Sequence, residues 1–470
     1  MRHLAAVAQQ DLERAQIYAK FVKILRFRQE LIEDDASFEE SSEVNTVEET
    51  SIPEPSTEHG DEEELGEDDD SCEVSDSEDS IDWGPGPLGS GEYKYEGRWH
   101  NDLVKLSFSR LEELAFWDTE DSGSYNTEDF VSQYLQPSIK ALYLSGVGPL
   151  SDTFLDAVSQ TCPNIGVFTI RQEEGSNITS TGLTNFLSKS NSLITLEIEG
   201  LDDALTNEGL VSVASYQNLE VLHVTEMKDS WISAMGNMDR SFTSFPKLRY
   251  LHAAITDTNL ERLSQFAPKI TALTLKEDRL QHPTSRILSA ASKFLNLEAF
   301  EVHFSPEDQI RGAELLNLVQ DLPELVRVNI YGSHAEGITD ELMDQVAQKI
   351  PEILEFSLQP DVLKTLTFKT FKSLGQHCKQ LGTLRLHCNI DWEEDGKDID
   401  TILFPELTSL NITSTPGIGP RLRESITRDR LVEAATRFRA YAPRLQLFTI
   451  THDSEAEETF DEIVGDLLYE

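Results

Sequence analysis

Two histidine–cysteine pairs, His377-Cys378 and His387-Cys388, stand ten residues apart, and imidazole with thiolate at close spacing is the raw material of a zinc site. The second pair follows the short apolar phrase Leu384-Arg-Leu386, which reads as a strand. His387 and Cys388 then leave the backbone on opposite faces, so the four groups do not converge on one ion. Structural cysteine is the better reading, and no metal or other cofactor is expected. Gly84, Gly86 and Gly89 have the spacing of a phosphate-cradling loop. No strand precedes them, and Pro85 and Pro87 remove N–H groups that a phosphate would need, which leaves a linker. The Gly-x-Ser-x-Gly, His-Glu-x-x-His and Walker-type phrases do not occur. Carboxylates are so numerous that no pair stands out as acid and base. No catalytic residue is nominated, and a non-enzymatic protein is expected.

Charge says more than any motif. The 470 residues hold 39 Lys and Arg against 85 Asp and Glu, a net charge of −46. Such a chain repels nucleic acid and anionic membrane surfaces, so neither is expected as a partner. Residues 31–82 carry 23 acids and no Lys or Arg, whereas residues 1–30 carry six cations against three acids. Within the acidic stretch, Ser37 and Ser75 each have an acid three residues on, the pattern of acidophilic-kinase sites. No apolar run approaches the roughly 18 residues of a spanning helix, and the first residues lack the apolar core of a signal peptide. Four cysteines are too sparse for a disulfide framework, which points to a reducing compartment, cytosol or nucleus.

The remaining order lies in a recurring phrase. Leu-x-x-Leu-x-Leu, with other apolar residues substituting, begins at Leu111, Ile139, Ile165, Leu193, Leu219, Leu248, Ile270, Leu297, Leu325, Ile353, Leu381, Leu407 and Leu445. Most intervals fall between 26 and 29 residues, and eight of the phrases have a proline two residues ahead, as at Pro137 and Pro351. Proline closes the preceding helix and pre-extends the chain for a strand. Between the phrases lie helical patterns with Ser, Thr or Asp capping signals: 150–158, 205–213, 255–263 and 338–346.

Each unit is therefore strand, loop and helix. One unit offers perhaps five large apolar side chains at roughly 1.5–3 kcal/mol each. Ordering its backbone costs about 1–2 kcal/mol per residue, so only stacking against neighbours stabilises it. The fold expected is an α/β leucine-rich-repeat solenoid, a horseshoe of about thirteen to fourteen repeats with parallel strands inside and helices outside. Four zones follow: a helix and first strand over 1–30, an acidic disordered insertion over 31–98, the solenoid over 99–452, and a capping helix over 453–470.

The units 255–275 (ITDTNLERLSQFAPKITALTL) and 338–358 (ITDELMDQVAQKIPEILEFSL) resemble the repeat of the cysteine-containing leucine-rich-repeat proteins, of the ribonuclease-inhibitor-like superfamily. Cys162-Pro163-Asn164-Ile165 matches the Cys-Pro-x-Leu corner of that repeat, and Cys378-Lys-Gln-Leu381 matches it without the proline. Residues 17–27 are similar to the first strand of fungal F-box members. The resemblance covers about three quarters of the chain. It implies a substrate receptor of a cullin-RING ubiquitin ligase, with a Skp-type adaptor and a cullin as partners. No F-box phrase stands in residues 1–17, so the F-box is expected upstream of Met1 or lost. Val147, Leu201, Met227 and Thr256 replace the family's Asn or Cys after the strand. The pairing of repeats with an acidic tract also resembles the acidic nuclear phosphoproteins, which implies histones or other basic proteins as an alternative.

Side chains flanking the second and third leucines of each phrase point away from the core. Those positions hold Trp117, Tyr143, Arg171, Glu197, Glu199, His223, Tyr250, His252, Lys276, Glu301, His303, Arg327, Tyr331, Arg385 and His387. Aromatics and arginines are the common anchors of protein interfaces. A protein partner on the concave face, with the chain monomeric outside its complex, is the expectation.

Overall fold

The structure is a computed structural model. It describes residues 8, 11–28, 103, 106–117, 127–172, 176–237, 244–277, 286–304, 309–362, 366–390, 395, 397, 401–413, 428–451 and 463–464. The insertion over 31–98, with Ser37 and Ser75, lies outside the described residues, as does most of 453–470. Ile463 and Val464 of that last zone are helical and buried.

Every recurrence of the leucine phrase becomes a strand that starts two residues after the phrase does. The strands are β1 (Ile24–Arg28), β2 (Glu113–Trp117), β3 (Ala141–Ser145), β4 (Val167–Arg171) and β5 (Thr195–Glu199). They continue with β6 (Val221–Glu226), β7 (Tyr250–Ile255), β8 (Ala272–Glu277), β9 (Ala299–His303) and β10 (Gln309–Arg311). The array ends with β11 (Arg327–Glu336), β12 (Glu355–Val362), β13 (Thr383–His387), β14 (Ser409–Thr413) and β15 (Leu447–Thr451). One open parallel sheet takes them in chain order, with β10 alone off the path as a short partner of β11. Ile270 and Leu297, which open two successive phrases, lead into β8 and β9, paired in parallel from Ala272–Ala299 to Lys276–His303. This is the α/β leucine-rich-repeat solenoid.

The second and third leucines of each phrase form the spine. Leu142, Leu144, Leu196, Leu251, Leu273, Val328, Leu384 and Leu410 are all at most 1% exposed and pack in one continuous core. Helices cover one side of the sheet. The expected helix over 150–158 forms as Asp152–Thr161, and the one over 338–346 as Asp340–Lys349. Both begin two residues late because Leu150 and Ile338 stay outside the helix and plug the core just ahead of its cap.

The aspartate that follows the capping hydroxyl residue at these helix starts (Ser151-Asp152, Thr339-Asp340) ties one repeat to the next. Thr339 caps its own helix by accepting from Leu342 N. The adjoining Asp340 reaches into the following repeat, accepting from Thr367 N at 2.9 Å, Thr367 Oγ1 at 2.7 Å and Thr370 Oγ1 at 2.6 Å. Asp152 does the same for Thr179, at 2.7 Å and 2.6 Å. Helix N-termini are satisfied both within and between repeats. Gly200, at φ +74°, is needed where two repeats touch, since a Cβ there would lie 1.6 Å from the Gln172 carbonyl oxygen.

Aromatic clusters thicken both ends of the array. Phe27 stacks on Phe116 at 4.5 Å, and Phe130 and Tyr134 close around them. At the other end Phe371, Phe404, Phe438 and Phe448 pack together.

Candidate protein-binding face

Strands pack about 4.7–4.9 Å apart and helices about 8–10 Å apart. With one strand and one helix in most repeats, the unequal spacing bends the array, and the sheet face is the inner one. Alternation along each strand decides which side chains reach that face. In β3, Leu142 and Leu144 are buried in the core while Ala141, Tyr143 and Ser145 lie half-exposed. The ladder registers carry these outward positions across the sheet as three rows.

All the nominated interface residues fall on these rows. Tyr250 and Arg327 lie on the first row; Tyr143, His223, His252 and Arg385 on the middle one; Trp117, Arg171, Lys276, Tyr331 and His387 on the third. Their situations differ. His223 and His387 are only 8% and 4% exposed, so of the nominated residues these two offer little free surface. Neighbouring strands less than 5 Å away can close over an outward side chain in a way that alternation alone does not convey.

Over β1–β5 the described arginines are paired within the strip. Arg26 lies 2.7 Å from Glu113 and over the Trp117 ring, which in turn leans on Tyr143. Arg171 is 3.5 Å from both Glu197 and Glu199. Burial raises the Glu197 carboxyl above its ordinary value despite that guanidinium. At the centre, His223 and His252 stack at 3.8 Å, nearly parallel. Burial, with Arg171 and Lys276 near His223 and with His223 and Lys276 near His252, pushes the imidazoles down to about 4 and about 3. Both are neutral at ordinary pH.

Further along, Glu301 accepts from His303 at 2.9 Å, and the His303 ring stacks on Tyr331 at 4.5 Å. Burial alone would raise Glu301, but hydrogen bonds from His303 and Asn329 outweigh it and hold the carboxyl low. Asn329 also donates to Glu355 at 3.2 Å. Arg385 is different from Arg26 and Arg171. Its partner among the described residues is the Tyr331 hydroxyl at 3.4 Å, with no carboxylate within ion-pair distance.

Sequence reasoning missed Arg26 and the small polar residues of the middle row, Asn329, Ser357 and Asn411, which stand in register with Arg385. The signal was present: Ile24-Leu25-Arg26-Phe27 alternates as the thirteen phrases do, but lies before the long insertion.

Among the described residues, Cys162, Cys378 and Cys388 are free and buried. Cys162 Sγ donates to the Gln136 carbonyl at 3.4 Å and Cys378 Sγ to that of Ala347 at 3.6 Å, each reaching one repeat back. Burial raises these thiols to about 11 and about 12, and raises Cys388 as well. Among the described residues no group of three or more His, Cys, Asp or Glu is placed to hold a metal, and no helix is long and apolar enough to cross a membrane.

No family model matches the sequence, and no curated protein matches it. Among solved structures the chain is similar to that of the Rad7–Elc1 complex of yeast, at 15% identity over 65% of this chain and 81% of that one, with a TM-score of 0.39. It is similar to the leucine-rich-repeat-containing protein LegL7 of Legionella pneumophila at 11% identity, over 75% and 98% of the two chains, TM-score 0.34. InlP of Listeria monocytogenes aligns at 18% identity over 50% and 58%, TM-score 0.28. The repeat architecture stands on the strand ladder itself.

Proposed function

We propose that this chain is a non-catalytic scaffold that holds a protein partner in the concave face of its solenoid. One observation carries the reading. In a chain of net charge −46, the outward positions of the strip hold the cations Arg26, Arg28, Arg171, Lys276, Arg327 and Arg385 and an equal number of acids, Glu113, Glu197, Glu199, Glu226, Glu301 and Glu355. A neutral mosaic interleaved with Trp117, Tyr143, Tyr250 and Tyr331 suits a protein surface of mixed charge. It does not suit a phosphate backbone, which demands an excess of cations.

The finer reading is a substrate receptor of a cullin-RING ligase, or a relative without the F-box. The N-terminal end of the array favours it. Ile17, Tyr18, Phe21 and Ile24 are 44–69% exposed there, and β1 has no strand on its outer side among the described residues. An apolar end with a free strand edge is a surface that a second protein would cover. The test is affinity purification of the full chain with Phe21→Asp and Ile24→Asp, and separately with Trp117→Ala and Tyr331→Ala. A receptor loses Skp-type adaptor and cullin with the first pair and its cargo with the second. Recovery of neither adaptor nor cullin by the unaltered chain rejects the ligase reading.

The alternative, a scaffold for histones or other basic proteins, is favoured by residues 31–82, with 23 acids and no Lys or Arg. Deleting them abolishes salt-sensitive histone capture if that reading holds, and leaves cargo binding on the strip unchanged.

A further inference from the structure

The geometry points to Arg385 as a carboxylate clamp: it recognises an acidic group on a peptide segment of the partner lying across β11–β14. This rests on the protein-binding reading of the concave face.

Arg385 is half-buried in the middle row, and the array has already oriented it. Its guanidinium meets the Tyr331 hydroxyl at 3.4 Å. Tyr331 is itself fixed, its ring stacked on His303, which is hydrogen-bonded to Glu301. The carboxylates nearest along the strip are engaged elsewhere, Glu301 with His303 and Asn329, and Glu355 with Asn329. The guanidinium is thus oriented, partly desolvated and, among the described residues, without the anion that Arg26 and Arg171 each have.

A planar five-donor fork in that state is matched by a planar two-oxygen acceptor, and the pairing is bidentate. Ordering a free arginine normally weakens such a pair, and here Tyr331 has done the ordering before the ligand arrives. The chain's acidity does not forbid it. Charges more than about 8–10 Å away are screened at physiological ionic strength, so the local partner decides. The flanking positions in register, Asn329, Ser357 and Asn411, are uncharged and set no second charge beside the acid.

The experiment is selection from a phage-displayed random linear peptide library on the full chain, in parallel on Arg385→Gln and Arg385→Glu. Thermal melts verify that the variants fold. The unaltered chain is expected to select peptides sharing an Asp or Glu. Replacing that acid by its amide in the synthetic peptide should weaken binding by about tenfold to a hundredfold. Arg385→Gln should lose the preference, and Arg385→Glu should select Lys or Arg at the same place. Amidated and free C-termini distinguish a side-chain acid from a terminal one. Tyr331→Phe, which keeps the ring, should weaken the acid-bearing peptide without changing which peptides are selected.

Selected peptides without acid enrichment, or no selected peptide at all, would overturn the clamp. So would an acid preference that survives Arg385→Glu. If peptides are selected and Trp117→Ala and Tyr143→Ala displace them but Arg385→Gln does not, the clamp fails and the concave-face reading stands. If no strip substitution affects the peptides, both fail.

Discussion

Arg171 and Arg385 are the same residue type on the same sheet face of one ladder, yet they stand in opposite circumstances. Arg171 sits between Glu197 and Glu199, while Arg385 rests on a phenol hydroxyl. The core beneath them is the same, since Phe168 and Ile170 under one match Leu384 and Leu386 under the other, all fully buried. A repeat array separates two tasks in this way: inward positions are uniform because every unit must close the same spine, and outward positions are free to differ. Where arginines find their carboxylates within the strip, as Arg26 and Arg171 do, its residues serve the fold. Where it leaves a guanidinium without an anion among the described residues, as over β11–β14, they are available to a partner.

The largest test of the shared spine is Phe356→Ala. Phe356 is fully buried beneath the half that carries Arg385, and its loss should cost about 3–5 kcal/mol in denaturant unfolding. A cost under about 1 kcal/mol would mean that this half does not close as the first one does. Next comes the inter-repeat brace. Asp340→Ala removes acceptors for three hydrogen bonds and Asp152→Ala for two, so losses of about 3 and about 2 kcal/mol are expected, in that order. The reverse order would show that the brace is not what couples repeats.

Acid should act at the centre of the strip. The folded imidazoles of His223 and His252 titrate near 4 and 3, below the ordinary 6.5. Above about pH 6.5 both states hold neutral rings and contribute nothing. Below it the unfolded chain takes up protons that the folded chain refuses, so stability falls as pH drops toward 4. At pH 5 the loss is about 2 kcal/mol for one ring. His252→Asn should flatten the stability profile between pH 6.5 and 4 relative to the unaltered chain; parallel profiles would count against the stacked, neutral pair. The smallest effect separates the two arginines. Arg171→Met leaves two glutamates facing each other and should cost about 1–2 kcal/mol, against less than about 0.5 kcal/mol for Arg385→Met. Equal costs would erase the distinction between the two halves.

The thirteen leucine phrases were legible because each must supply the same two inward residues, and periodicity survives substitution of Ile, Val, Phe or Ala. The outward rows were legible for the same reason, one residue out of phase. Other features were hidden. The extension of β11 to Glu336 and of β12 to Val362, with β10 added beside them, depends on loops of neighbouring repeats meeting in space. The reach of Asp340 to Thr367 crosses 27 residues of sequence. The burial of His223 and His387 reflects what their neighbours cover, and the state of Arg385 reflects what its neighbours have already engaged. Side-chain partnership between strands has no period to read.

Hydrogen–deuterium exchange of the full chain, alone and with the protein partner recovered on it, tests the central claim most directly. The account predicts slowed exchange in β11, β12, β13 and β14, with helices such as Asp340–Lys349 and Phe368–His377 unchanged. Protection confined to those helices, with the strands unaffected, would place the partner on the outer face and contradict it.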